Sequence, residues 1–183
     1  MSGGQLHANG CCWGIHYAKK MIHAVLVLNT LGKPRLAKFY YPLRAEKQQD
    51  IIRSVYKVLS SRAEHVCNFV EAEIIFGYET KLVYKHFATL YFIFVIDNAE
   101  SELGVLDLIQ VFVESLDRCF KNVCELDIVY NFNKVHTILD EMIIGGQVVE
   151  TNPLEVIKTA EEVFKQESFA DMIAIALKSS GKR

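Results

Sequence analysis

The residues best equipped for chemistry in this chain are its cysteines, its histidines and a few neighbouring carboxylates. Thiol catalysis needs a Cys held beside a base, and no pattern pairs Cys67 or Cys124 with a histidine. Cys67, Cys119 and Cys124 stand among apolar neighbours, where a reduced thiol behaves as a small hydrophobe, so core packing is expected for them. A serine nucleophile has no G-x-S-x-G elbow to sit on. His7, Cys11, Cys12 and His16 carry metal-ligating atoms, but adjacent cysteines lack the C-x-x-C spacing that wraps one tetrahedral zinc. The expectation is a metal-free arm and no cofactor.

Glu125-x-Asp127 and Asp140-Glu141 could serve as acid and base, yet helix neighbours point about 100° apart and nothing marks a cleft between them. Helix caps or solvated faces are the better reading. Gly77, Gly104 and Gly145-Gly146 match neither G-x-x-x-x-G-K nor G-x-G-x-x-G, so turns and a helix stop account for them. The aromatic series Tyr84, Phe87, Tyr91, Phe92 and Phe94 is interleaved with one cation, Lys85, which suits a sheet core and not a base-stacking platform. The reading of these residues is non-enzymatic.

Bulk properties narrow the partners. A formal charge of −2 supplies no cationic excess for phosphate neutralisation, so neither nucleic acid nor a polybasic membrane contact is expected. Five cysteines, an odd number without a regular framework, favour a reducing cytosol over a disulfide scaffold. The apolar stretches 21–28 and 90–96 fall far short of the ~20 residues that cross a bilayer. Lys19 and Lys20 before 21–28 imitate a signal peptide, but no small-x-small cleavage pattern follows. Hydrophobic residues make up 51% of the chain, a slight apolar excess that points to a surface covered by a partner.

At 183 residues one domain is the starting expectation. Residues 1–20 are polar with no apolar period and read as a floppy extension, with Met21 a plausible second start. Strands are expected over 22–28 and 36–41, flanking the turn residues Asn29, Gly32 and Pro34. Ile51, Ile52, Val55, Val58 and Leu59 repeat at helical spacing and predict a helix over 45–59. Further strands are expected over 68–76, 81–86 and 88–96. A long helix capped by Asp97 or Asn98 would then carry Leu103, Leu106, Ile109, Val113, Leu116 and Phe120 on one stripe. A second helix from about Asp127 places Ile128, Phe132, Val135, Leu139 and Met142 on one face and stops at Gly145-Gly146. Beyond Pro153 a weaker pattern through Val156, Ile157, Ala160, Val163 and Phe164 suggests a docked helical tail. The order β-β-α-β-β-β-α-α gives an α+β fold, a five-stranded antiparallel sheet flanked by helices, because the first helix must carry the chain to a new sheet edge.

The segment Leu82-Val83-Tyr84-Lys85-His86-Phe87-Ala88-Thr89-Leu90-Tyr91-Phe92 resembles the signature of the clathrin-adaptor small chains: two aliphatics, Tyr, a base, a spacer, then Leu-Tyr-Phe. Three more blocks add to it: Gly32-Lys33-Pro34-Arg35-Leu36-Ala37-Lys38-Phe39-Tyr40, Asn122-Val123-Cys124-Glu125-Leu126-Asp127, and Asp140-Glu141-Met142 running on to Gly146 and to Glu150-Thr151. The residues around 77–80 and 101–104 are similar to the sigma-type subunit of the adaptor complex whose large subunit is delta.

The resemblance implies a longin-like domain over 21–152, between the extension 1–20 and a tail 153–183. It implies burial against a delta-type large subunit, with a beta-type large chain and a medium chain completing a heterotetramer. Such complexes work in vesicle-mediated protein transport, in the cytoplasm and peripherally on Golgi and endosomal membranes, which they reach as a complex. The resemblance also implies recognition of acidic dileucine signals, [DE]-x-x-x-L-[LI], in cargo tails. By that correspondence Ala88, Val113, Val123, Leu126 and Ile128 form apolar walls, Asn122 bonds to the peptide, and Arg35 meets the upstream acid. Thr89 stands where some relatives have glycine, and Ile128 replaces a leucine. Read without the resemblance, the aliphatic residues of this set would be core and Arg35 a solvated hairpin charge. A stand-alone longin-type regulatory or tethering module, whose groove binds its own or a partner's helix, remains the alternative.

Overall fold

A computed structural model describes residues 22–63, 66–77 and 79–180. The expectations for 1–20, including His7, Cys11, Cys12 and His16, and for Met21 fall outside them. The first two strands, β1 (Ile22–Asn29) and β2 (Pro34–Phe39), form a hairpin. Its turn is organised by the Asn29 side chain, whose Oδ1 accepts from the backbone N–H of Leu31 at 3.0 Å and of Lys33 at 2.9 Å. Gly32 takes φ +76°, and the Tyr56 ring lies so close that a Cβ at Gly32 would fall 2.6 Å from it. The Tyr56 hydroxyl donates to the Thr30 carbonyl at 2.7 Å. A glycine is therefore required twice here, by conformation and by space.

Helix α1 (Ala45–Ser60) carries the chain across one sheet face, burying Ile51, Ile52, Val55 and Leu59, to strand β3 (Phe69–Glu71) at the far edge. The expected strand 68–76 is thus only three residues long. Ala72 leaves the ladder and 73–76 wind into a helical turn, α2 (Glu73–Phe76), which folds Ile75 and Phe76 under α1. Shortening an edge strand in this way removes a template for unwanted pairing. Strands β4 (Thr80–Phe87) and β5 (Leu90–Asp97) complete an antiparallel sheet of order β2-β1-β5-β4-β3. The expected strand 88–96 begins two residues late, because Ala88 and Thr89 form the tight β4–β5 turn, with Ala88 at φ +51°.

The opposite face is covered by α3 (Glu102–Phe120), α5 (Phe132–Met142) and the first turns of α6 (Pro153–Ser180). A short α4 (Glu125–Tyr130) precedes α5, and the pair replaces the single helix expected from Asp127. The break falls at Asn131, whose backbone leaves helical geometry and leaves Phe132 56% exposed. Ser101, not Asp97 or Asn98, caps α3, accepting from the Gly104 N–H. Asp97 is the last residue of β5 and its carboxylate accepts from the Ala99 N–H. The buried stripe of α3 is Val105, Leu108, Ile109, Phe112 and Leu116, rotated from the expected one, and Leu103 is 68% exposed. Gly145 and Gly146, both at positive φ, turn a two-residue hairpin between β6 (Ile143–Ile144) and β7 (Gln147–Val148) and do not stop α5. Cys67 and Cys124 are exposed and Cys119 is half-buried, so the core placement expected of the first two is corrected. No helix among the described residues is long and apolar enough to cross a membrane.

The Gly32 contact gives a first prediction. Gly32→Ala should destabilise the chain by about 2 kcal/mol in urea denaturation, through left-handed strain plus overlap with Tyr56. Part of the loss should return in a Tyr56→Ala background, where the overlap is gone and the strain remains.

Candidate functional site

The β4–β5 turn, the C-terminal half of α3 and the linker into α4 enclose a cavity of about 270 Å³. Phe87, Ala88, Thr89, Leu90 and Phe92 come from the sheet side, Val113 and Asp117 from α3, Val123 and Cys124 from the linker, and Glu125 from the start of α4. Its floor is aromatic: Phe87 meets Phe92 edge-on at 5.7 Å, and Phe92 meets Phe112 at 6.0 Å. Such pairs hold rings in place beyond simple area burial. Hollows of about 410 and 480 Å³ lie elsewhere on the chain. In the larger one Arg62 is already committed to the Tyr84 hydroxyl and the Cys67 carbonyl.

The linker wall is built by backbone geometry. Lys121 and Asn122 both take positive φ, 54° and 74°, which reverses the chain after α3. The Asp117 carbonyl accepts from the Lys121 N–H at 2.8 Å, and its carboxylate accepts from the Val123 N–H at 3.0 Å. Asp127 then accepts from the Cys124 N–H at 2.9 Å and caps α4. That bond, with the Cys124 side chain beside it, holds the Asp127 carboxyl below its ordinary range. Val123 is thereby set facing Val113 and Ala88 across the cavity.

At the rim stands an ion pair that joins the hairpin to the helical layer. Arg35 donates from Nε at 2.7 Å and approaches with Nη2 at 2.6 Å, both to Oε1 of Glu125. Asn29 Nδ2 donates to the same oxygen at 3.0 Å. These two hydrogen bonds, Arg35 first, hold the Glu125 carboxyl below its ordinary range. Arg35 and Glu125 keep about a quarter of their side-chain surface exposed, so the pair sits at the solvent boundary.

Of the residues expected to form the site, Ala88, Val113 and Val123 line the cavity together. Arg35 is joined to it through Glu125. Asn122 belongs to the linker turn beside Val123. Leu126 is 61% exposed on α4 and does not line the cavity, while Ile128 is fully buried in the core beneath α4. Ile128 therefore supports the wall from behind and does not form it. Glu125, Asn29 and Asp117 organise the site without having been singled out for it. The signal was a pair of opposite charges, Arg35 and Glu125, separated by 90 residues, which no periodicity connects. No group of three or more His, Cys, Asp or Glu side chains among the described residues could hold a metal ion.

A five-stranded antiparallel sheet covered by helices on both faces, with a small apolar cavity and an ion pair beside it, defines an α+β domain of longin-like architecture. Its sequence matches the clathrin adaptor complex small chain family over residues 21–167, and the chain belongs to that family. It is 58% identical over 159 residues to the AP-3 complex subunit sigma of Arabidopsis thaliana, a match covering 87% of this chain and 96% of the relative. It is 52% identical to the human AP-3 complex subunit sigma-2, over 77% of this chain and 74% of that one. In structure it is similar to a chain of a homology model of the full-length AP-3 complex in a stretched open conformation. That match has a TM-score of 0.63 and 38% identity, covering 83% of this chain and 98% of the other. The fold is the longin-like α+β arrangement expected, and the relatives named are sigma subunits, the subunit type that the sequence resembles.

The rim pair yields a pH prediction. A carboxyl whose folded-state pKa is depressed contributes stability above its unfolded pKa, about 4.3 for Glu, and loses it as pH falls through the lower folded value. Carbon-detected NMR titration should show Glu125 titrating below the other exposed glutamates, and Arg35→Met should move it back toward them.

Proposed function

We propose that this chain is the sigma-type small subunit of an AP-3 adaptor complex. In this reading it is non-enzymatic, stabilises the complex core and shares in recognising acidic dileucine signals on membrane cargo. Residues 21–152 are the adaptor domain and 153–183 a helical tail. The direct partner is a delta-type large subunit, with beta-type and medium chains in the same heterotetramer. The complex acts peripherally on Golgi, endosomal and vesicle membranes. The relatives named above support the subunit assignment.

One observation carries the peptide reading: Ala88, Val113 and Val123 converge on a small apolar cavity, and Glu125 of its lining is paired with an arginine, Arg35. At about 270 Å³ the cavity falls just below the roughly 300–1,000 Å³ of drug-sized ligand pockets and suits an aliphatic side chain. Two buried leucines contribute about 1.5–3 kcal/mol each and must offset the ordering of an extended peptide. Binding is therefore weak, and several cargo tails on one membrane supply avidity. Weakness of this kind suits a coat that must release what it collects.

The second reading, a stand-alone longin-type module that binds its own helix, is favoured by the seat of α6. Val156 and Ala160 are buried against α3 and α5, and Lys134 lies 5.4 Å from the Phe164 ring. Co-purification with a delta-type large chain separates the two readings; a chain recovered free of such partners favours the second.

Val113 is only partly buried, so an acid there faces the cavity. Val113→Asp should weaken a dileucine peptide by about tenfold or more, the penalty for a charge set in an apolar pocket. Recovery of the assembled complex should be unchanged. Loss of assembly would place Val113 in the structural core and remove it from the site.

A further inference from the structure

We propose that Glu125 is a built-in competitor for the arginine that a sorting signal's acid would use, so that the signal acid contributes little until Glu125 is displaced. The inference rests on the peptide reading above. Arg35 Nε and Nη2 both point at one oxygen of Glu125, at 2.7 and 2.6 Å. Asn29 Nδ2 fixes that same oxygen at 3.0 Å, so the carboxylate is held from two elements and does not swing freely. Glu125 also lines the apolar cavity, which puts the internal acid where the peptide enters.

The electrostatics follow. An incoming carboxylate meets a pair that is neutral overall, not a lone cation, and its attraction is correspondingly small. Glu125 occupies the Nε/Nη2 edge, so an acid that is to make the forked contact there must displace it, and an acid at the Nη1 side leaves two carboxylates around one arginine. Selectivity then rests on the leucines, and the acid acts mainly once the pair is opened. The opposite role is physically distinct: Glu125 could hold Arg35 in place so that its outer edge receives the acid. That role predicts loss, not gain, when the charge is removed.

Glu125→Gln keeps the length and an acceptor oxygen for Arg35 and Asn29 while deleting the negative charge. The test uses the chain assembled with the other adaptor subunits, wild type or E125Q, titrated by fluorescence anisotropy. Three peptides serve: one with an acid and two leucines, the same with the acid changed to Gln, and one with both leucines changed to Ala. In wild type the acid-to-Gln change should weaken binding by less than about threefold, as for a screened exposed pair. In E125Q the acidic peptide should bind about tenfold tighter, as for an unpaired charge-assisted contact, while the Gln peptide is unchanged. Adding Arg35→Met to E125Q should abolish the gain. An equal acid effect in both proteins, or weaker acidic-peptide binding in E125Q, overturns the proposal while leaving the leucine cavity standing. If the alanine peptide binds wild type as well as the dileucine peptide does, the peptide reading itself fails and the competitor role with it.

Discussion

The structure depends on one pairing, β1 against β5 at the centre of the sheet, because nearly every residue of both strands is buried on one face or the other. Val25, Val27, Phe92, Phe94 and Ile96 face α3 and α5, while Ala24, Leu26, Leu28, Ile93 and Val95 face α1. A strand buried on both sides cannot slip by one residue without exchanging its two cores. The register β1 takes on β5 therefore fixes the sheet and, through it, both helical layers. Phe92 carries that constraint outward, since it packs on Phe112 of α3 and on Phe87 at the turn. The cavity is rigid because its floor is a corner of the core.

A second set of contacts orients the helical layer without supplying much energy. Arg35 and Lys38 on β2 reach Glu125 of α4 and Asp140 of α5, and Lys81 on β4 reaches Glu102 at the start of α3 at 2.6 Å. Each pairs a sheet cation with a helix acid near the solvent boundary, where water screens an ion pair and leaves it little weight in stability. Apolar burial between the layers is far larger, since each fully buried large side chain contributes about 1.5–3 kcal/mol. The ion pairs are better understood as register marks: each specifies where along a strand a helix end settles. His136, half-buried between Lys38 and Asp140, is held below its usual range first by burial and then by Lys38, so it favours its neutral form there.

Most elements were legible because their apolar residues follow one period. Helix α1 has a single apolar face and was bounded to within a residue. Helix α3 was found, but its phase was not, because Val105, Leu106, Leu108, Val111 and Val113 make it apolar nearly all round. Only the position of the sheet chooses Val105 and Phe112 over Leu103 and Val113, and that choice leaves Val113 available to the cavity. The short β3, the break at Asn131 and the β6–β7 hairpin were missed for another reason. Each is set by tertiary contacts that compete with a good local alternative. For the cysteines, neighbours in sequence were mistaken for neighbours in space: Cys67 and Cys124 lie in irregular segments at the surface, where Val66 and Leu126 near them are exposed as well.

The candidate site divides along the same line. Ala88 and Val123 stand at chain reversals and Val113 on α3, and the resemblance alone placed them in one set. What the sequence could not convey is that Arg35 arrives already paired. A hairpin arginine and a glutamate at the start of α4 meet only because β2 lies at the sheet edge under α4, a consequence of the β2-β1-β5-β4-β3 order. The charge of the rim is therefore decided by topology and not by composition. The cavity's apolar walls do not depend on that pairing. Apolar wall and charge are therefore physically separable on this surface: one belongs to the core corner formed by Phe87 and Phe92, the other to an ion pair between a strand and a helix.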